Sequence, residues 1–206
     1  MAMSTWVEVR DAFGQAAEWF MGVVPSGTGR LEETGLGEWS VRDLVGHTSR
    51  ALLTVEVYLD KPAAGAEVGS AVEYFRLVSA SVGDPAAVAQ RGRDAGAALG
   101  DDPAVSVQAI VHRVLDRVRA AGGDALVGTP VGGMRLVDYL PTRTFELTVH
   151  TCDLAVALGR PLDVPESAAT QSLAVLGGLA VQAGVAPLLL LSATGRRQLP
   201  AGFSVL

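Results

Sequence analysis

Apolar residues recur at steps of three and four along most of the chain, which is the spacing of helices that bury one face. The first such stripe begins at Trp6 and ends at Phe20. A second begins after Ser40, which can cap a helix together with Asp43 three residues later. The pattern predicts four main helices, over residues 6–20, 40–60, 102–121 and 136–158.

The segments between these helices carry weaker patterns. Residues 22–37 are rich in Gly, Thr, Ser and Pro and predict a loop. Residues 68–82 and 85–99 favour two further Ala-rich helices, and residues 124–135 favour a small hairpin or an extended loop. The last helix is predicted to begin at Pro165.

Amphipathic helices are stable when their apolar faces pack against one another, so the predicted fold class is all-α. We expect a four-helix bundle over residues 1–160, with a small hairpin-like insertion. Residues 161–206 would form an extra C-terminal helix and a tail packed on that bundle. Pro141 is expected to disturb the fourth helix, because proline removes a backbone donor.

One C-terminal stretch has the length and hydropathy of a membrane span. No charged residue occurs between Ser167 and Gly195, and residues 173–191 are strongly apolar. Several glycines, Gln182 and Pro187 interrupt this run, which favours a buried helix followed by a turn. We therefore expect no membrane partner.

The composition of the chain argues against several kinds of partner and site. The 206 residues carry a net charge of −6, which argues against a nucleic-acid partner. Cys152 is the single cysteine, so an intrachain disulfide and a cysteine-rich zinc module are both excluded. The N-terminus lacks the basic start and the apolar run of a signal peptide, and we expect a cytoplasmic protein.

A stripe of four polar residues lies along one side of the fourth predicted helix. Its members recur at steps of three, four and three residues: Arg143, Glu146, His150 and Asp153. One interpretation is a solvated helix edge, with an ion pair from Arg143 to Glu146 and another from His150 to Asp153. The other is a metal site in the bundle core, whose ligands are Glu146, His150 and, from the second helix, His47. Spacing alone is weak evidence for either.

Two imidazoles and one carboxylate match the ligand set of catalytic zinc, which leaves the fourth position for water or substrate. Asp153, one turn beyond His150, could orient that imidazole through a hydrogen bond. The other candidates are weaker. Cys152 is interpreted as a buried, inert thiol, and His112 as a partly exposed structural residue.

Three stretches of the chain resemble a known family. Residues 38–47, Glu-Trp-Ser-Val-Arg-Asp-Leu-Val-Gly-His, resemble the second-helix signature of the mycothiol-dependent maleylpyruvate isomerase family, a branch of the DinB-like metalloenzymes. Residues 143–159 resemble its second signature, and residues 194–200 resemble the ending of its shorter members. The resemblance covers essentially the whole chain and is vague only between residues 60 and 135.

This resemblance implies a DinB-like four-helix bundle that holds a divalent metal, usually zinc, with nickel as the alternative. The ligands that it implies are His47, Glu146 and His150. It also implies a transferase or isomerase that uses mycothiol, in which a metal-bound thiolate attacks a small electrophilic substrate. Arg143 and Asp153 are the implied catalytic residues, which would position the substrate or the ligands.

Two features depart from the family pattern. Cys152 stands where the family often has tryptophan, and the stretch after Leu158 is too short for the sizeable second domain of the characterised isomerase. Maleylpyruvate itself is therefore not carried over as the substrate. Arg196 in the tail could reach an anionic group of the substrate that binds.

Two alternatives use the same three ligands. One is a non-enzymatic DinB-like protein that binds a small ligand or a metal, and the other is a metal-dependent hydrolase that needs no thiol. The sequence does not separate them. A homodimer is a further expectation, through the apolar helix at residues 173–185, although that helix could equally cover the bundle of its own chain.

Overall fold

Helices dominate the structure, a computed structural model that describes residues 5–24, 29–81 and 85–206. The described residues form eight helices: α1 (Trp6–Val23), α2 (Val41–Leu59), α3 (Ala71–Ser81), α4 (Pro85–Ala98), α5 (Pro103–Ala121), α6 (Leu136–Ala157), α7 (Glu166–Gln182) and α8 (Ala186–Ala193). They also form two antiparallel hairpins, from β1 (Thr34–Leu36) with β2 (Trp39–Ser40) and from β3 (Leu126–Thr129) with β4 (Gly132–Arg135). The predicted all-α class is confirmed.

A four-helix bundle forms the centre of the fold. Helices α1 and α2 each pack against both α5 and α6, which closes a ring of four helices. The side chains inside that ring are fully buried and almost all apolar, and they include Phe13, Phe20, Leu44, Leu52, Val111, Val114, Leu140, Leu147 and Leu154. The apolar stripes read from the sequence therefore face one another in the folded chain.

Local capping fixes where α1 and α2 begin. The Ser40 hydroxyl accepts a hydrogen bond from the Asp43 backbone N–H, and the Asp43 carboxylate accepts one from the Ser40 backbone N–H. This reciprocal pair confirms the predicted start of α2. Thr5 and Glu8 make the same pair at α1. In both helices the cap precedes a run of buried residues, so local and tertiary signals agree.

The two hairpins differ in how well the sequence predicts them. The β3–β4 hairpin lies within the segment predicted as a hairpin or extended loop. Strand β1 of the β1–β2 hairpin lies within the segment predicted as a loop, so that prediction is wrong over residues 34–36. Strands of two and three residues are too short to show an alternating pattern. Residues 25–28 of the predicted loop, and residue 82 of the predicted helix over 68–82, lie outside the described residues.

Helix α4 packs unusually closely on α2, and glycines permit this approach. A Cβ atom at Gly46 would lie 2.1 Å from the backbone nitrogen of Gly96. A Cβ atom at Gly92 would meet the ring of Trp39, which precedes α2, at 2.8 Å. Helix α4 therefore covers the N-terminal half of α2.

Helix α6 runs without interruption through Pro141, so the expected disturbance there is wrong. Proline lies in the second turn, and the buried residues on both sides of it hold the helix in place despite the missing donor.

The C-terminal part departs from the expectation of a buried helix followed by a turn. Helix α7 packs on α1, α3 and α6, but Leu173 and Val181 are 64% and 69% exposed. The leucine-rich segment after Pro187 forms α8, which has no buried residue. Within the described ranges, no helix is long and apolar enough to cross a membrane. The division into residues 1–160 and 161–206 stays a prediction.

Candidate metal centre

Three potential metal ligands meet between α2 and α6. His47 lies on α2, whereas Glu146 and His150 lie one turn apart on α6. One ligand atom from each residue lies within 4.8 Å of the other two. Because α2 and α6 are direct neighbours in the bundle, residues that are 99 positions or more apart in sequence converge at one place. Their role as ligands stays a prediction.

The imidazole of His150 is fixed from both sides. Its Nδ1 lies 3.1 Å from a carboxylate oxygen of Asp153, and its Nε2 lies 3.3 Å from a carboxylate oxygen of Glu146. Asp153 thus occupies the position predicted for a group that orients the imidazole. A solvated helix edge also predicts the contact between His150 and Asp153. This pair therefore does not distinguish the solvated edge from the metal site.

Arg143 does separate the two interpretations. The solvated-edge interpretation predicts an ion pair from Arg143 to Glu146, and the ion pairs found among the described residues do not include one. The guanidinium of Arg143 instead lies over the rings of Tyr74 and Tyr139, 5.5 and 5.3 Å from their centroids. Arg143 of the polar stripe therefore packs against α3 and does not form the ion pair that a solvated edge predicts.

His47 is held by aromatic contacts. Its ring centroid lies 4.4 Å from that of Trp39 and 4.7 Å from that of His150. The Trp39 indole is fixed in turn, because its Nε1–H donates to the backbone carbonyl of Ala89 on α4 at 3.1 Å. Among the described residues, the buried Nδ1 of His47 finds no hydrogen-bond partner. A buried polar atom without a partner costs free energy, which coordination of an ion would offset.

The electrostatic surroundings suit His47 and Glu146 as ligands, whereas His150 holds a proton at neutral pH that an incoming ion would displace. Burial and, to a smaller extent, the nearby charge of His150 together lower the pKa of His47 to about 4. Burial also lowers the pKa of His150, but hydrogen bonds to Asp153 and Glu146 outweigh burial and raise it to about 9. Burial raises the pKa of Glu146, and the hydrogen bond from His150 with the charge of Arg143 brings it below its ordinary value. At neutral pH, His47 is neutral and Glu146 is ionised.

The donor set fits a divalent ion. Ligand atoms around a tetrahedral zinc ion, each bound at about 2.1 Å, lie roughly 3.4 Å apart. The 3.3 Å separation between His150 Nε2 and Glu146 Oε2 matches that spacing. Two imidazoles and a carboxylate suit zinc and also nickel. The unpartnered nitrogen of His47 supplies an independent reason for an ion to bind here.

A cavity of about 220 Å³ opens beside these ligands. Its walls include Tyr74, Phe75 and Val78 of α3. Three arginines also line it: Arg50, Arg91 and Arg143. Arg50 and Arg91 were not among the residues predicted from the sequence. Arg50 follows His47 by three residues on α2, a spacing that could have revealed it, whereas nothing in the sequence locates α4 and Arg91 near the ligands.

The remaining candidates lie away from the cavity wall. Arg196 is exposed and donates to the backbone carbonyl of Thr194, so the expectation that it reaches a substrate here finds no support. Cys152 is half-buried rather than buried, and burial raises the pKa of its thiol. His112 is exposed. The chemistry of the centre therefore rests on α2, α3, α4 and α6.

Comparison with known proteins agrees with the resemblance seen in the motifs. The family model of the mycothiol maleylpyruvate isomerase N-terminal domain matches residues 14–155. This range contains the three candidate ligands and every wall of the cavity beside them. Searches of curated proteins and of solved structures found no significant match. Because the family model covers more than half of the chain, the protein belongs to the family of mycothiol maleylpyruvate isomerase N-terminal domains.

Proposed function

We propose that the protein is a metal-dependent enzyme that uses mycothiol, as a transferase or an isomerase, on a small electrophilic substrate. The observation that carries this proposal is the meeting of three ligand atoms within 4.8 Å of one another beside an open cavity. Membership of a mycothiol-related family supports a thiol as the cosubstrate.

His47, Glu146 and His150 would hold the ion, for which zinc is the best match and nickel the alternative. A divalent ion bound there would lower the pKa of a thiol and so supply a thiolate at neutral pH. The donor set leaves at least one coordination position for such a ligand, because three protein groups converge among the residues that the structure describes.

The other residues of the centre have separate tasks. Asp153 is a positioning residue, whose carboxylate accepts a hydrogen bond from His150 Nδ1–H and keeps Nε2 directed toward Glu146. Trp39 packs against the ring of His47 and holds it in place. Arg143 lines the cavity with its charge fixed over two tyrosine rings, and it is the proposed catalytic residue that touches substrate.

The test is turnover by the metal-loaded protein with mycothiol and a panel of electrophiles: an epoxide, a chloronitroarene and a cis-enedioic acid. We expect product formation that depends on the thiol and that falls to background in the Glu146→Gln variant. Glu18→Gln is the matched control, because Glu18 is exposed on α1 and lies outside the centre.

Measuring whether mycothiol is consumed distinguishes a transferase from an isomerase. Consumption of mycothiol would identify a transferase, and a requirement without consumption would identify an isomerase. Equal turnover without any thiol would contradict the proposal in favour of the hydrolase. Bound metal with no turnover of any electrophile would contradict it in favour of a binding protein.

We also propose a cytoplasmic location, because the cytosol keeps thiol cosubstrates reduced. A homodimer is part of the same proposal, since a second copy would cover the exposed Leu173 and Val181 of α7.

A further inference from the structure

We infer that Arg50, Arg91 and Arg143 form an oxyanion subsite beside the metal ligands, and that the substrate therefore carries a carboxylate, sulfonate or phosphate group. The assignment to a substrate rests on the proposed function. The subsite itself is argued from the charges and contacts of the cavity.

The cavity concentrates positive charge in an acidic protein. Three guanidiniums and one carboxylate, that of Glu146, line its wall, although the whole chain has a net charge of −6. Glu146 already lies against His150, and no ion pair among the described residues joins it to an arginine. Like charges gathered in a confined space repel one another, and a bound anion removes that penalty.

Arg50 and the exposed Arg91 differ from the arginines of α5 in their ion pairing. Arg113 and Arg117 on α5 are both in ion pairs, with Glu56 and Asp60 respectively. For Arg50 and Arg91, the part of the chain that the structure describes supplies no ion-pair partner. Among the described residues, no hydrogen bond or ion pair uses the guanidinium donors of Arg50 or Arg91, which makes both candidates for binding a ligand.

Arg143 is held in advance of binding. Its Nε–H donates to the Thr142 hydroxyl at 2.9 Å, and its guanidinium lies over Tyr74 and Tyr139. Tyr139 is itself fully buried and donates its hydroxyl to Thr54 at 3.2 Å. These contacts use Nε and the face of the guanidinium, and the hydrogen bonds among the described residues do not use its terminal N–H groups, the kind of donors that match an oxyanion.

The size of the cavity limits what binds there. A volume of about 220 Å³ equals that of roughly seven water molecules in the liquid. The three arginines come from α2, α4 and α6, so they surround the ligand from different helices. Such a space holds a small anion whose reactive carbon lies next to the metal ligands.

Binding of acetate, methanesulfonate and inorganic phosphate at low ionic strength, measured by calorimetry on the metal-loaded protein, tests the subsite. We expect at least one of these anions to bind, and Arg50→Gln and Arg91→Gln each to weaken it by about tenfold, the loss expected for a charge-assisted hydrogen bond. Arg93→Gln is the matched control on α4, because Arg93 does not line the cavity and bonds to Gln90 instead. It should change the affinity less than about twofold.

The Arg143→Lys variant keeps the positive charge but loses the planar guanidinium with its paired N–H donors. We expect it to lower the affinity for phosphate more than Arg93→Gln does. Absence of binding by all three anions would overturn the inference. So would an equal loss of affinity in Arg93→Gln. Repeating the titration on metal-free protein distinguishes the two proposals, because anion binding that persists without metal supports the subsite even where thiol-dependent turnover fails.

Discussion

At the scale of the residue, two kinds of arginine occur in this protein. Arg113 gives both Nε–H and one terminal N–H to the carboxylate of Glu56, at 2.7 and 3.0 Å. Arg143 is in no ion pair among the described residues, and its guanidinium instead lies over the rings of Tyr74 and Tyr139 beside the candidate metal ligands. The first kind contributes to stability, and the second leaves its charge available to a ligand.

The ion pair between Glu56 and Arg113 should make the stability of the protein depend on pH. The hydrogen bond from Arg113 holds the pKa of Glu56 below its ordinary value. A lowered pKa stabilises the folded state above the ordinary carboxyl pKa of about 4.3, and this contribution is lost as the pH falls through the lowered pKa. We expect Glu56→Gln to lower the free energy of unfolding by less than about 1 kcal/mol at neutral pH, because Arg113 is half exposed.

Urea unfolding at pH 7 and at about pH 3 checks this, with the difference between wild type and variant shrinking toward zero at the lower pH. Arg113→Gln combined with Glu56→Gln is the control, and it should cost little more than either substitution alone. A penalty of the same size at both pH values would show that packing, not the ion pair, is lost.

At the scale of the element, the close contact of α4 with α2 shapes the site. Gly46 and Gly96 let the two backbones approach, and Trp39 fits against Gly92. This packing brings Arg91 to the cavity and holds Trp39 over His47. Gly46 is therefore needed for close helix packing, and it directly precedes the candidate ligand His47.

Gly46→Ala should destabilise the protein, because its new Cβ would lie 2.1 Å from the backbone nitrogen of Gly96 and α4 would have to move. Overpacking of this kind costs about 1–3 kcal/mol. Gly14→Ala is the matched control, since a Cβ there meets nothing within 4 Å and alanine is the better helix former. Urea unfolding measures both variants, and equal stability of the two would contradict the close approach of α2 and α4.

How far the sequence predicts each element depends on how local its signal is. The start of α2 is predictable because Ser40 and Asp43 cap it within four residues. The β1–β2 hairpin is not, because its two strands are too short for a pattern. The exposure of α7 and α8 is not predictable either. A leucine-rich sequence shows that a helix is hydrophobic, but it does not show whether another surface of the protein packs against that helix.

At the scale of the whole molecule, the fold joins distant residues into one centre. The ligand set follows from the family resemblance, since the spacing of Glu146 and His150 alone is common by chance. The charge of the cavity could not be predicted, because Arg91 and Tyr74 lie on helices whose places in the fold have no sequence signal. Tertiary packing of α3 and α4 on the bundle therefore decides the chemistry that surrounds the ligands.

Metal content, measured by elemental mass spectrometry on untagged protein, tests the candidate centre most directly. We expect about one zinc or nickel ion per chain, as three converging ligands require. The His47→Ala variant should lose the ion and keep its helical circular dichroism, while His112→Ala, altered at an exposed histidine, should keep both. A wild-type protein that takes up no divalent ion after reconstitution, or a His47→Ala variant that holds as much as the wild type, would contradict the three-ligand centre.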